Sequence, residues 1–364
     1  MARVTLQTIA DRVGVSRMTV SNAFSRPDQL SPALRERILT AAEELGYVGP
    51  DPTARALARG SAGAVGVLLT ESLREAFTDE IATGFLGAVA EQLGPTGLAL
   101  TLLTTFSGSM IPARDVAIDG AIVYSCVPES QALQWLRRRR LPLVYVDQSP
   151  VEGAPSVNID DRAGARAAAR HLVDLGHRRI GIVTANIGGP YGPVEDPQGL
   201  GCGPGCNHVM RERVQGWLEE LTAAGVDPSV VIQPPFGASV EGSAALLLDR
   251  PDRPTAILCF SDVLAVGVIL QARARGLRVP EDLSVVGFDD APLAARTTPA
   301  LTTVRQDVDA KGRAAAAALT GELARRSAPA GSGADGDALL LPQDRRIVLP
   351  VELVVRDSTA PPPA

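Results

Sequence analysis

Arg17, Met18, Ser21 and Asn22 carry groups that can read the edges of base pairs. An arginine bonds bidentately to guanine, an asparagine to adenine, and a methionine can touch a thymine methyl. Their spacing places them together. Val20 and Phe24 are four apart and share a buried helix face with Val15, so the four candidates fall on the opposite face. The surroundings supply a helix-turn-helix. Thr5 can cap a first helix whose apolar positions are Ile9, Ala10 and Val13, and Gly14 permits a tight turn. Ser16 suits the N-cap of a second helix over 17–24. Ser31 and Pro32 open a third, with Leu34, Ile38, Ala41, Ala42 and Leu45 as its core stripe and Gly46 as its stop. Residues 1–50 therefore read as an all-α helix-turn-helix DNA-binding domain. A three-helix bundle without nucleic acid is the structural alternative.

Residues 51–60, D-P-T-A-R-A-L-A-R-G, read as a hinge helix of two turns, capped by Asp51 and closed by Gly60. Helices shorter than ~12 residues are marginal alone, so this one should order against a second copy or against DNA. Leu57 would project as an apolar wedge for a base step. An ordinary linker helix is the alternative.

The chain has 364 residues, 45% of them hydrophobic, which suits a large folded core and more than one domain. Residues 1–60 hold eight arginines against six carboxylates, so +2, leaving −8 for the rest of a chain whose net charge is −6. A mildly basic end on an acidic body suits phosphate contact at that end. Lys311 is the only lysine. No apolar run reaches ~18 residues, the beginning of the chain lacks an apolar signal core, and four scattered cysteines make no disulfide framework. The expected location is the cytoplasm, with no membrane partner.

From residue 61 onward, short apolar runs alternate with helical stretches. Expected strands are 64–69, 98–103, 121–124, 143–146, 179–183, 230–233, 256–260 and 283–287. Expected helices include 79–92, 161–175, 210–224, 240–248 and 262–275. Continuous apolar strands point to parallel sheets covered on both faces, an α/β architecture. No G-x-G-x-x-G follows the first strand and no G-x-x-x-x-G-K occurs, so no nucleotide cofactor is expected.

Open parallel sheets bind ligands beyond the carboxyl ends of their strands. That rule selects Thr70, Glu71, Tyr124, Ser125, Asp147, Asn186, Ser261, Asp262, Asp289 and Asp290. Carboxylates beside an arginine suit a polyhydroxylated ligand, and Phe77 or Trp217 could wall a sugar ring. Asp262 could equally be a helix cap, and Trp217 a core residue. Cys202, Cys206 and His208 offer zinc-type ligands, but only three and in no standard spacing, so no metal is expected. His171 and His177 bracket a helix end and read as structural. No nucleophile motif accompanies the three histidines, so an enzyme is not expected.

The N-terminal stretch T-L-Q-T-I-A-D-R-V-G-V-S-R-M-T-V-S-N, L-G-Y at 45–47 and A-R-A-L at 54–57 resemble the headpiece and hinge helix of the lactose/galactose repressor (LacI/GalR) family. The usual hinge carries Asn where this chain has Asp51, which keeps the cap and removes an amide. The resemblance continues through 160–180, R-V-Q-G-W at 213–217, F-S-D-V-L-A-V-G at 260–267, 277–290 and L-T-T-V-R-Q-D at 301–307. It implies a two-lobed, periplasmic-binding-protein-like effector and dimerisation domain over 61–364. One lobe would hold 61–157 and 291–325, the other 158–290 and 326–358. It implies DNA contacts from Thr5, Ser16, Arg17, Met18, Thr19, Ser21, Asn22, Ala54, Arg55 and Leu57. Its cleft positions match Asp147, Arg213, Asp289 and Gln306, which join Phe77, Tyr124, Ser261 and Asp262 as the expected ligand set. The function implied is a transcriptional repressor that binds a palindromic double-stranded operator as a homodimer or tetramer under control of a sugar or polyol. A cytoplasmic solute-binding or sugar-modifying protein with an N-terminal helical bundle is the competing reading.

Overall fold

The computed structural model describes residues 4–49, 56–57, 60–69, 73–105, 111–126, 128–185, 191–200, 207–234, 240–327 and 345–363. Met1–Gly63 and Ala64–Ala364 form two compact units.

The first unit is set by local capping. Thr5 opens α1 (Leu6–Val13), and its hydroxyl and that of Thr8 each accept the other's backbone N–H, at 3.4 and 3.2 Å. Gly14 ends α1 at φ 78°, a left-handed value that favours glycine. Ser16 Oγ accepts from Thr19 N at 3.0 Å to start α2 (Arg17–Ser25). Ser31 and Pro32 start α3 (Pro32–Glu44). Ile9, Ala10, Val20, Ala23, Ile38, Ala41 and Ala42 form the core, with Val15, Phe24, Leu34 and Leu45 partly buried against it. Phe24 meets the edge of Tyr47 at 5.7 Å.

The second unit has two sheets. The strands are β1 (Ala64–Leu69), β2 (Ala99–Thr104), β3 (Gly120–Tyr124), β4 (Leu143–Val146), β5 (Ser156–Ile159), β6 (Ile180–Ala185), β7 (Gly192–Pro193), β8 (Ser229–Gln233), β9 (Ala256–Cys259), β10 (Ser284–Asp289), β11 (Thr302–Gln306), β12 (Arg346–Leu349) and β13 (Val351–Val354). The first sheet runs β12-β5-β4-β3-β1-β2, and the second β13-β11-β10-β9-β6-β8-β7. All pairings are parallel except β11 with β13 and β7 with β8.

The expected division between lobes needs correcting at every crossing. β5 lies in the first sheet, so that lobe extends through Ile159. β11 pairs with β10, so residues 302–306 belong to the second lobe and the chain returns to the first only with the helix Val308–Ser327. β12 pairs with β5, so 346–349 also belongs to the first lobe. The reason is tertiary: the polar run T-T-V-R-Q is buried because its hydroxyls have partners, Thr303 with Asp262 and Thr302 with Thr359.

Each lobe is braced by a helix pair packed through a glycine. Helix Asp161–Asp174 lies on His208–Ala223 at Gly216, where a Cβ would sit 2.5 Å from Arg162 O and 2.8 Å from Ala165 Cβ. Helix Val308–Ser327 meets Glu80–Leu93 at Gly312, where a Cβ would sit 2.7 Å from Ala88 Cβ and 2.8 Å from Phe85 O. Backbone cannot yield as a flexible side chain can. Gly216→Ala should therefore destabilise the second unit by ~1–3 kcal/mol, read as a lower urea midpoint with an unchanged slope.

Candidate functional site

On the first unit, α2 turns Arg17 and Met18 outward, Met18 at 69% exposure, while Thr19, Ser21 and Asn22 are half-buried. Asn22 Nδ2 donates to Gln29 Oε1 at 3.2 Å, a bond that an incoming base could replace. Thr5 and Ser16 are exposed caps. Of the expected hinge helix, Ala56 and Leu57 are helical and Leu57 is 85% exposed. Asp51, Ala54 and Arg55 lie outside the described residues.

In the second unit a cavity of about 410 Å³ opens between the two sheets, beyond the carboxyl ends of their strands. Tyr124, Ser125 and Asp147 reach it from β3 and β4; Ser261, Asp262 and Asp289 reach it from β9 and β10; Arg213 comes from helix 208–223 and Gln306 from the end of β11. Several sit on left-handed backbone: Ser125 at φ 48°, Asp147 at 54° and Asp289 at 112°. Such conformations cost of order 1–3 kcal/mol each and gather where a side chain must be aimed.

A buried chain of polar contacts links these groups. Lys311 Nζ donates to Asp147 Oδ2 and to Gln306 Oε1, both at 2.7 Å. Gln306 Nε2 donates to Asp289 Oδ1 at 2.7 Å, and Arg213 Nη2 donates to the same oxygen at 3.1 Å. Arg213 continues to Asp161 Oδ1 at 2.8 Å and to Phe260 O at 2.5 Å, with its guanidinium over the rings of Phe288 and Phe260. Two acceptors in this network have no partner among the described residues: Asp147 Oδ1 and Asp161 Oδ2. Asp147 lines the cavity and is only 5% exposed, so its free oxygen is shielded from bulk water. Burial pushes the Asp161 carboxyl up to about 6 despite Arg213. Burial also raises Asp289 above the usual carboxylate range, opposed by Arg213.

The rim is tied across the lobes. Glu80 accepts from Leu293 N at 3.2 Å and from Arg296 Nη2 at 2.9 Å, and Arg211 Nη2 donates to Ser149 Oγ at 3.0 Å.

Some expected residues take other roles. Phe77 is 60% exposed and does not line the cavity; Phe260 does, stacked beneath Arg213. Helix 73–78 packs Ala76 inward and leaves the neighbouring Phe77 in solvent. Trp217 is 1% exposed within the second-lobe core. Asp262 borders the cavity, but its oxygens accept from Thr303 Oγ1 at 2.5 Å and Ala291 N at 2.7 Å, while Ser261 caps the helix Asp262–Ala274. Thr70, Glu71, Asn186, Cys202 and Cys206 lie outside the described residues. His208 Nδ1 faces Arg211 at 3.0 Å, and no metal-ligand cluster occurs among the described residues. His177 bonds Thr255 Oγ1 at 2.8 Å and Ala360 O at 2.9 Å, pinning the end of the chain to the second sheet. No helix among the described residues is long and apolar enough to cross a membrane. Sequence reasoning passed over Lys311, Asp161, Phe260 and Asp79, which lines the cavity and caps the helix Glu80–Leu93. Lys311 carried one signal, its uniqueness.

A capped helix-turn-helix unit joined to a two-sheet α/β body with a cleft at its strand ends defines a class of DNA-binding regulator with a ligand-binding domain. Comparison with known proteins agrees. Residues 5–49 match bacterial regulatory proteins of the lacI family, and residues 169–359 match a periplasmic binding protein-like domain. The chain is 39% identical over 330 residues to the HTH-type transcriptional regulator IpsA of Corynebacterium glutamicum, covering 85% of this chain and 88% of that one. Among solved structures it resembles the lac repressor dimer bound to operator and the anti-inducer ONPF (TM-score 0.71, 25% identity, covering 99% of this chain and 100% of that one). It also resembles a complex of the regulator CelR with cellobiose (TM-score 0.65, 28% identity, covering 98% and 100%). The chain belongs to the LacI family of transcriptional regulators, with a DNA-binding domain followed by an effector-binding domain.

Asp262 gives the site a pH signature. Burial, then the neighbouring Asp289, push its carboxyl up to about 8. A raised carboxyl stabilises the fold fully below its unfolded value of ~4, and that contribution is lost as pH rises toward 8. The melting temperature of Asp262→Asn should therefore gain on wild type as pH goes from about 5 to about 9. Parallel curves would show that Asp262 is already ionised in the fold.

Proposed function

We propose that this regulator is a repressor that binds a near-palindromic operator as a homodimer and is controlled by a neutral, polyhydroxylated small molecule in the interlobe cleft. The observation that carries the effector reading is Asp147, a buried carboxylate lining the cavity whose Oδ1 has no hydrogen-bond partner among the described residues. A ligand hydroxyl donating there would relieve the cost of an unsatisfied buried oxygen. The charge of the cleft favours the same class. Glu75, Asp79, Glu80 and Asp147 line it against Arg213 and Lys311, beside Asp262 and Asp289, whose carboxyls burial raises. Such a lining attracts hydroxyl donors and repels anions. The cellobiose bound by CelR is a ligand of this chemical kind. A ligand that contacts both lobes fixes the angle between them, and coupling to DNA then has to be reciprocal, typically ~1–3 kcal/mol. The dimer reading rests on one recognition helix per chain, since a single short helix reads too few base pairs for useful specificity.

Three experiments test this. In a thermal-shift panel, a neutral sugar or polyol should stabilise the protein while its phosphate ester does not. Asp147→Asn should weaken the best compound by ~10–100-fold in calorimetry, about 1.4–2.8 kcal/mol, with DNA binding retained. A phosphate ester that outbinds its parent polyol would refute the charge argument. In the first unit, Arg17→Ala should relax preference at one base pair per half-site by ~1–3 kcal/mol in a selection from random sequence. An unchanged preference would move the reading face away from α2.

A further inference from the structure

Arg137, Arg138, Arg139 and Arg140 follow one another at the end of the helix Gln131–Arg138. They lie at the end of the first lobe remote from the cleft, where the strands begin. Pro142 O accepts from Ala121 N at 2.9 Å, and Ala64 O accepts from Asp119 N at 2.8 Å. The helix Val308–Ser327, whose Lys311 faces the cleft, runs to this same end, and its Arg326 donates to Arg140 O at 2.5 Å. None of the five arginines forms an ion pair among the described residues; Arg139 acts only at a distance on Asp115, which is paired with Arg114. Arg137 bonds Tyr145 Oη at 3.2 Å, Arg139 bonds Ala113 O at 2.8 Å, and Arg138 stacks on Trp135 at 5.1 Å. These contacts hold the side chains of Arg137, Arg138 and Arg139 without an ion pair. Elsewhere in the unit, arginines such as Arg170, Arg250, Arg275 and Arg278 are paired to carboxylates. A cluster of unneutralised cations on a unit of net charge −8 is a local exception to its composition. Its place in the chain adds a second, independent observation. Ala64, the first residue of β1, follows the DNA-binding unit in the chain, and it lies at the same strand-start end of the first sheet as the cluster.

We propose that this arginine end of the first lobe is a second DNA-contacting surface, which engages phosphates of the duplex flanking the operator. The inference rests on the DNA-binding reading given above. Arginine suits the task because its guanidinium pairs with phosphate oxygens bidentately, and the contact carries no sequence information. It would add affinity and salt dependence without altering the preferred sequence.

The test uses full-length protein and one selected operator on two fragments. One fragment ends about two base pairs beyond the operator and the other carries flanks of about ten on each side, each titrated against salt. Wild type should show a steeper salt dependence on the long fragment, by ~0.9 in log–log slope for each additional phosphate engaged. The double variant Arg138→Ser/Arg140→Ser should lose that extra slope, bind the long fragment at least ~10-fold more weakly at low salt and match wild type on the short one. Arg138→Lys/Arg140→Lys, which keeps the charge, should recover most of the difference. A serine variant with the wild-type slope on the long fragment overturns the proposal and leaves the surface to an acidic protein partner. Equal losses on both fragments overturn it too, because the arginines would then act at the operator itself. If wild type selects no sequence at all, the DNA-binding reading fails instead, a result separable from the other two.

Discussion

The two lobes are held by a set of charges that cannot be separated cheaply. Lys311 and Arg213 stand against Asp147, Asp161 and Asp289, and Gln306 bridges the halves of the network. Removing one partner from a buried ion pair costs roughly 3–5 kcal/mol, because the other is left uncompensated. The cleft therefore has little freedom to change its composition. The network also explains why Asp147 can keep an empty oxygen: Lys311 neutralises the carboxylate through Oδ2 alone and leaves Oδ1 for something else. One negative charge remains in excess, and repulsion from Asp147 adds to the burial that raises Asp161.

What the sequence revealed follows the range of each interaction. Thr5, Ser16 and Ser31 bond to backbone three residues away, so the headpiece helices were legible to within a residue or two. β1 and β4 were legible because a strand buried on both faces must be apolar throughout. β5, β11 and β12 were not. Their Asn, Thr and Arg residues read as surface until hydroxyl and amide partners from distant segments are known, as when Asn158 Nδ2 donates to Gln148 O. The lobe boundaries failed for the same reason. At the cleft, the strand-end rule found Asp147 and Asp289, and the family resemblance found Arg213 and Gln306. Lys311 escaped because its partner Asp147 is 164 residues away. Phe77 and Trp217 were expected as the apolar wall and Phe260 was not considered, because a lone aromatic in the sequence says nothing of its direction.

The two lobes solve one packing problem in the same way. Each needs a helix close enough to its neighbour to cover the sheet, and each places a glycine, Gly216 or Gly312, against backbone. These contacts make each lobe a stiff body and leave adaptation to the segments between them. The rim bonds from Glu80 to Arg296 and from Arg211 to Ser149 are exposed or half-buried, so each is worth much less than a contact in the buried network. Opening the cleft breaks these weak bonds at the edge and strains the buried Lys311–Gln306 bridge between the lobes.

The chain's final crossing has a mechanical consequence. β12 is paired in the first sheet and β13 in the second, and Pro350 alone separates them. A link one residue long, with φ fixed by the proline ring, works as a pivot. It keeps the lobes from sliding apart and leaves rotation as their main shared degree of freedom. With the crossings after Ile159 and after Gln306, the body resembles a pair of jaws on a pinned joint, in which a small change of grip at the cleft becomes a larger arc at the far end of the lobe.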